Sequence, residues 1–203
     1  MASAESPGRP NQKSRTRKDL LRAAARLMAA GKSPGLDEVA AEAMVSRATA
    51  YRYFPGVEAL LTEAALDLAM PDGETFFEGD PAPEPAERLL RADAAVAEMV
   101  RANEPALRAM LIHSLQQGLS GSAGGVPLRQ NRRTPLIEAA LAPARERMAP
   151  WLHDRLVKAL GLVIGTESHI ACRDVLRLGN EEADAVRRWM IRALVEAASR
   201  PAR

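Results

Sequence analysis

Between residues 16 and 70 the apolar positions fall into four short helical stripes. Leu20, Leu21, Ala24, Leu27 and Met28 share one face of a first helix, which should close at Gly31, a residue at home in the left-handed turn that ends helices. Leu36, Val39, Ala40 and Ala43 make a second, shorter stripe, with Asp37 and Glu38 in its first turn, where carboxylates suit the helix dipole. Ser46 is a suitable N-cap for a third helix, which carries Ala50 and Phe54 on its inner side and is stopped by Pro55 and Gly56. A fourth runs from about Val57 to Met70. The stretch 71–86, rich in Pro, Gly and acids, reads as a seam. Beyond it the elements lengthen, and helices are expected near 86–102, 105–118, 135–148, 151–178 and 181–199. This order predicts a flexible basic arm over 1–15, a head over 16–61 and a larger body over 62–203.

Composition points the same way. Aromatic residues make up only 3% of the chain while Ala, Leu, Arg and Glu recur throughout, a vocabulary that favours helix over sheet. The expected fold class is all-α: an N-terminal three-helix head with a helix-turn-helix, then a C-terminal helical bundle. The net charge of +2 is too small for whole-molecule attraction to nucleic acid, so the distribution matters more. Arg9, Lys13, Arg15, Arg17 and Lys18 form a run without an acid, while Asp72, Glu74, Glu78, Asp80, Glu84 and Glu87 cluster without a base. The basic run fits either a polyanion-binding end or a solvated tail. Cys172 is the single cysteine, which excludes an intramolecular disulfide and a multi-cysteine zinc site and fits a reducing, cytoplasmic location. The chain shows no signal-peptide pattern and no apolar run long enough to span a bilayer, so no membrane partner is expected.

The chemistry concentrates in the second and third helices. Two short helices joined by a turn at Met44-Val45 make a helix-turn-helix, whose second member is small enough to enter the major groove of duplex DNA. Ser46, Arg47, Ala48, Thr49, Ala50, Tyr51, Arg52, Tyr53 and Phe54 follow one another there, and hydroxyls and guanidiniums of this kind suit phosphate oxygens and base edges. Tyr51 and Tyr53 also fit as core aromatics. The glycines of the 118–134 loop, which also holds Arg129, Arg132 and Arg133, have no preceding strand and no Lys-Ser/Thr ending, so they read as surface loop and not as a phosphate cradle.

Over about residues 16–61 the chain resembles the TetR family of transcriptional regulators. Val39-Ala40, Ala43, Val45-Ser46, Thr49, Tyr51, Tyr53-Phe54 and Glu58-x-Leu60 match the family pattern in order and without a gap. Three positions depart from it. Met44 stands where Gly is frequent, which matters if that turn residue needs a positive φ; Ala50 replaces a larger aliphatic; and Val57 stands where a Lys usually meets a phosphate. The resemblance implies that Thr49, Tyr51 and Tyr53 contact phosphates and that Arg47 and Arg52 read base edges, with Ser46 and Ala48 in the same interface. Arg15, Arg17 and Lys18 would add backbone or minor-groove contacts. No catalytic residue, metal or cofactor is implied.

The body carries weaker signals. Leu156, Leu160, Val163 and Glu167 recur at near-heptad spacing, and Val186, Trp189, Met190, Ala193, Leu194 and Ala197 share a face of the last helix. The first set implies a packed helix partner, and burial within one chain would account for the second; the family's two-fold interface, built from its last two helices, favours a homodimer. Met99, Leu107, Met110, Leu111, His113, Leu115 and Trp151 are candidate lining for an effector pocket, or plain core. The expected function is a ligand-responsive DNA-binding regulator, most often a repressor in this family, which an unidentified small molecule releases from a near-palindromic double-stranded operator. The rival readings are an α-helical carrier or interaction protein that has lost DNA binding, motivated by Met44 and Val57, and an enzyme using Glu167, His169 and Cys172, which fall short of a zinc-site pattern.

Overall fold

The computed structural model describes residues 9–73, 75–80, 84–119, 129 and 131–199. Among these residues there are ten α-helices and no strand: α1 (Arg9–Ala29), α2 (Leu36–Glu42), α3 (Arg47–Tyr53), α4 (Val57–Ala69), α5 (Pro85–Ala102), α6 (Glu104–Leu119), α7 (Arg133–Leu141), α8 (Pro150–Val163), α9 (Thr166–Ile170) and α10 (Asn180–Ser199). No helix of the described residues is long and apolar enough to cross a membrane.

The chain divides into two compact units, Met1–Ala69 with Pro105–Gln130, and Met70–Glu104 with Asn131–Arg203. In the first, Leu20, Leu21 and Ala24 of α1 meet Val39 and Ala40 of α2, Ala50, Tyr53 and Phe54 at α3, and Leu60 and Ala64 of α4. The expected head boundary at 61 falls inside α4, because Leu60 and Ala64 belong to this core. The arm expected over 1–15 also differs. From Arg9 onward it is helical, since Pro10 sits in the first turn, where its missing N–H is tolerated, and the residues after it favour helix. Residues 1–8 of that arm, and 120–128 and 130 of the 118–134 loop, lie outside the described residues.

The second unit packs α5, α7, α8 and α10 around Leu89, Val96, Leu136, Ile137, Leu160 and Ile191. Arg88 of α5 donates through Nε to Ala140 O at 3.2 Å and through Nη2 to Ala139 O at 3.1 Å, and so ties α5 to the last turn of α7. The continuous helix expected over 151–178 is broken. Gly165 has φ 152°, and beside it Arg133 donates to Gly161 O at 2.8 Å and to Glu167 at 2.6 Å. The guanidinium thus caps the end of α8 and occupies the space a side chain at 165 would need. After α9 the chain relaxes into a π turn over Ala171–Val175.

Charge is buried in this unit as well. Arg187 of α10 is fully enclosed; its Nε lies 3.2 Å from both carboxylate oxygens of Asp93, and its Nη2 pairs with Asp184. Burial pushes the Asp93 carboxyl above its ordinary value, against the pull of the Arg187 charge. Burial, with the Arg187 charge as a smaller cause, holds His169 below its ordinary value.

Candidate nucleic-acid interface

Position 44 sets the angle between α2 and α3. Val45 N–H donates to Ala40 O at 2.9 Å and Met44 N–H to Ala41 O at 3.0 Å, the paired closing bonds of a helix that ends through a left-handed residue. Met44 is that residue, at φ 55°, with its side chain 93% exposed. The turn is therefore kept without glycine. Ser46 then caps α3: its Oγ accepts from Thr49 N–H at 3.1 Å and lies 2.8 Å from the Thr49 hydroxyl. This settles one orphan amide of α3 and fixes both hydroxyls at its N-terminal end.

The phase of α3 decides which side chains are free. Ala50, Tyr53 and Phe54 turn inward, and Arg47, Ala48, Tyr51 and Arg52 form the exposed side. Arg47 is held over the first turn of α2 by Asp37, 2.6 Å from its guanidinium, yet both side chains remain well exposed. Such a pair contributes about 0–1 kcal/mol, so exchange for a phosphate or a guanine edge is inexpensive. Arg52 lies with its guanidinium carbon 5.5 Å from the Tyr53 ring centre. Thr49 is half-buried, and Val57 packs against the head core.

Two residues expected at the interface are not on it. Tyr53 is 2% exposed and belongs to the core. Arg17 is 3% exposed. Its Nη1 donates to Tyr53 O at 3.2 Å, its Nη2 pairs with Glu63 of α4, and its guanidinium lies 4.3 Å over the Phe54 ring. Instead of facing solvent, Arg17 pins the C-terminal end of α3 to α1 and α4. Arg15 and Lys18 do face solvent, and Arg22, which sequence reasoning missed, continues the same helix face one turn on. Asp37 and Glu63 were also missed. Glu63 had a signal, since it lies three residues after Leu60 and beside Ala64, on the apolar side of α4.

The body residues divide likewise. Met110 and His113 line one cleft, and Leu107 is buried, whereas Leu115 and Trp151 are mostly exposed. Met99 belongs to the other unit from Leu107, Met110, Leu111 and His113. Leu156, Leu160 and Val163 are buried in their own unit, so they have no surface left for a partner; the heptad-like spacing reports intrachain packing. Glu167, Trp189 and Ala197 are exposed, and Val186, Met190, Ala193 and Leu194 are half-buried. Glu167 pairs with Arg133, His169 Nδ1 lies 3.1 Å from Gly165 O, and Cys172 is buried. Among the described residues no group of three or more His, Cys, Asp or Glu is arranged to hold a metal ion.

A capped short helix whose free side carries guanidiniums, set by a tight turn against a second short helix, defines a helix-turn-helix DNA-binding module. The protein is a DNA-binding transcriptional regulator. Residues 20–64 match the family model described as bacterial regulatory proteins, tetR family, and the head is of that family. No curated protein and no solved structure matches the chain.

Proposed function

We propose that the protein is a cytoplasmic, homodimeric repressor that reads a near-palindromic operator with α3 and is released by a small molecule. The observation that supports this reading best is the free side of α3. Arg47 and Arg52 face solvent beside Ala48 and Tyr51, with Arg47 next to the Ser46 and Thr49 hydroxyls fixed at the N-terminal end and Arg52 in the last turn. Arg47 and Arg52 meet base edges, Ala48 permits close approach, and Ser46, Thr49 and Tyr51 meet phosphates. Arg15 and Lys18 add backbone contacts. Two-fold pairing is supported by Trp189, which is 70% exposed on α10 near half-buried Val186, Met190 and Leu194. A dimer would place two copies of α3 about 34–36 Å apart, or a multiple of that, on the duplex.

Selection of bound fragments from the source genome, followed by footprinting, tests the reading. The expected result is a two-fold site bound with an affinity that falls steeply as salt rises. Arg47→Ala should then relax preference at one base position per half-site, worth about 1–3 kcal/mol of discrimination. Absence of any selected site would overturn the proposal, and equal weakening on every sequence would reassign Arg47 to phosphate.

A further inference from the structure

Behind the recognition helix, within the first unit, lies a cleft of about 230 Å³. Tyr53 of α3 and Phe54 just after it wall the cleft on one side, with Arg17 from α1, Ala59 and Thr62 from α4, and Met110 and His113 from α6. For scale, an apolar cavity of about 150 Å³ takes up benzene, so this one has room for a single ring with a short substituent. Its chemistry is mixed. Aromatic, alanine and methionine surfaces offer an apolar bed, and His113 holds a buried ring nitrogen, Nε2, with no hydrogen-bond partner among the described residues.

Charge narrows the ligand class. Among the described residues that line it, Arg17 is the one fixed cation and is already engaged by Glu63, Tyr53 O and the Phe54 ring, while Glu58 leaves an excess negative charge. An anion would enter against that charge; a neutral or singly cationic molecule would not. We infer that this cleft binds a compact amphiphile, one ring with a single hydroxyl or ammonium group, and that its occupancy weakens operator binding. The second half rests on the repressor reading. A hydroxyl in the cleft can accept from Arg17, and an ammonium can donate to Tyr53 O and Glu63 in place of Arg17, so either group competes with the contacts that hold the C-terminal end of α3.

The test uses the full chain with benzyl alcohol, benzylamine and benzoate as probes, which share a ring and differ in charge. With ¹³C-methyl methionine labelling, the Met110 signal should shift saturably with the alcohol and the amine and not with benzoate. Ala59→Leu on α4 and Ala109→Leu on α6, two residues that line the cleft, should each abolish the shift while retaining helicity and binding to the selected genomic site. Binding of that site should weaken several-fold at saturating benzylamine in the wild type and stay unchanged in both variants. The inference fails if no probe shifts Met110 saturably, if benzoate does so equally, or if the shift survives both filled variants. Probe binding without any DNA binding would sink the repressor reading and leave the cleft standing. Unaltered DNA affinity in the saturated protein would sink the regulatory half alone.

Discussion

Replacing Met44 by glycine should stabilise the first unit. The residue closes α2 at φ 55°, a conformation that costs a side-chain-bearing residue about 1–2 kcal/mol. Little is lost with the side chain, because it is 93% exposed and buries almost no apolar surface. Glycine relieves the strain but brings a more flexible unfolded chain, a loss of about 0.5–1 kcal/mol. The difference is a net gain of about 0.5–1 kcal/mol. Met44→Ala keeps the Cβ and so the strain, and should leave stability where it is. The two indole reporters, Trp151 and Trp189, lie in the other unit, so fluorescence would report the wrong transition. Native-state amide exchange over residues 20–24 of α1 and 60–64 of α4 reads the correct core directly. In Met44→Gly the slowest of these amides should exchange about two- to five-fold more slowly, since 1.4 kcal/mol corresponds to tenfold. Equal protection in the glycine and alanine variants would refute the assignment of strain to the backbone at this turn, and faster exchange with glycine would refute it outright.

Other consequences are checked by urea unfolding or by oligomeric state. Gly165→Ala meets both the unfavourable φ and the Arg133 guanidinium that caps α8, and should cost about 2 kcal/mol or more. Arg187→Met leaves Asp93 buried without its cation and should cost about 3–5 kcal/mol, whereas Arg187→Met combined with Asp93→Leu should cost less than the single change. His169 is held below its ordinary 6.5, so the unfolded chain takes up a proton first. Stability should fall as pH drops below about 6.5 until the folded residue titrates too, and His169→Gln should flatten that part of the pH profile. Trp189→Glu should shift sedimentation towards the monomer and weaken operator binding together; a variant that stays dimeric would remove this face from the interface.

The short helices of the head were legible because their start and stop signals are local: Ser46 caps α3, and Gly31 ends α1 in the left-handed region. The roles of Arg17 and Tyr53 were legible too, but in a different pattern from the one that motif matching uses. Arg17 precedes Leu20, Leu21 and Ala24 by three, four and seven residues, which places it on the buried stripe of α1; Tyr53 follows Ala50 by three and shares its inward face. Helix phase therefore separates the anchoring arginine from the exposed Arg15 and Lys18 where residue type does not. What the sequence hid was long-range. The break at Gly165 depends on Arg133, distant along the chain, and a regular apolar period through Leu156, Leu160 and Val163 looks the same whether the neighbour is a partner or α10.

The two ends of α3 are held by different means, and this separates two ways of losing DNA binding. At the N-terminal end Arg47 is tethered only by the exposed Asp37 pair, so it can leave that contact for a base edge. At the C-terminal end Arg17 and Glu63 form a buried clamp on Tyr53 O, where displacement changes the seating of the whole helix. An occupant of the cleft touches only this second end. Its effect should accordingly weaken all operator variants by nearly the same factor, because every contact of α3 shifts together, while Arg47→Ala should alter the ranking of sequences. Operator variants measured with and without saturating benzylamine distinguish the two: parallel losses place the action at the clamp, and a changed base preference would place it at Arg47 instead.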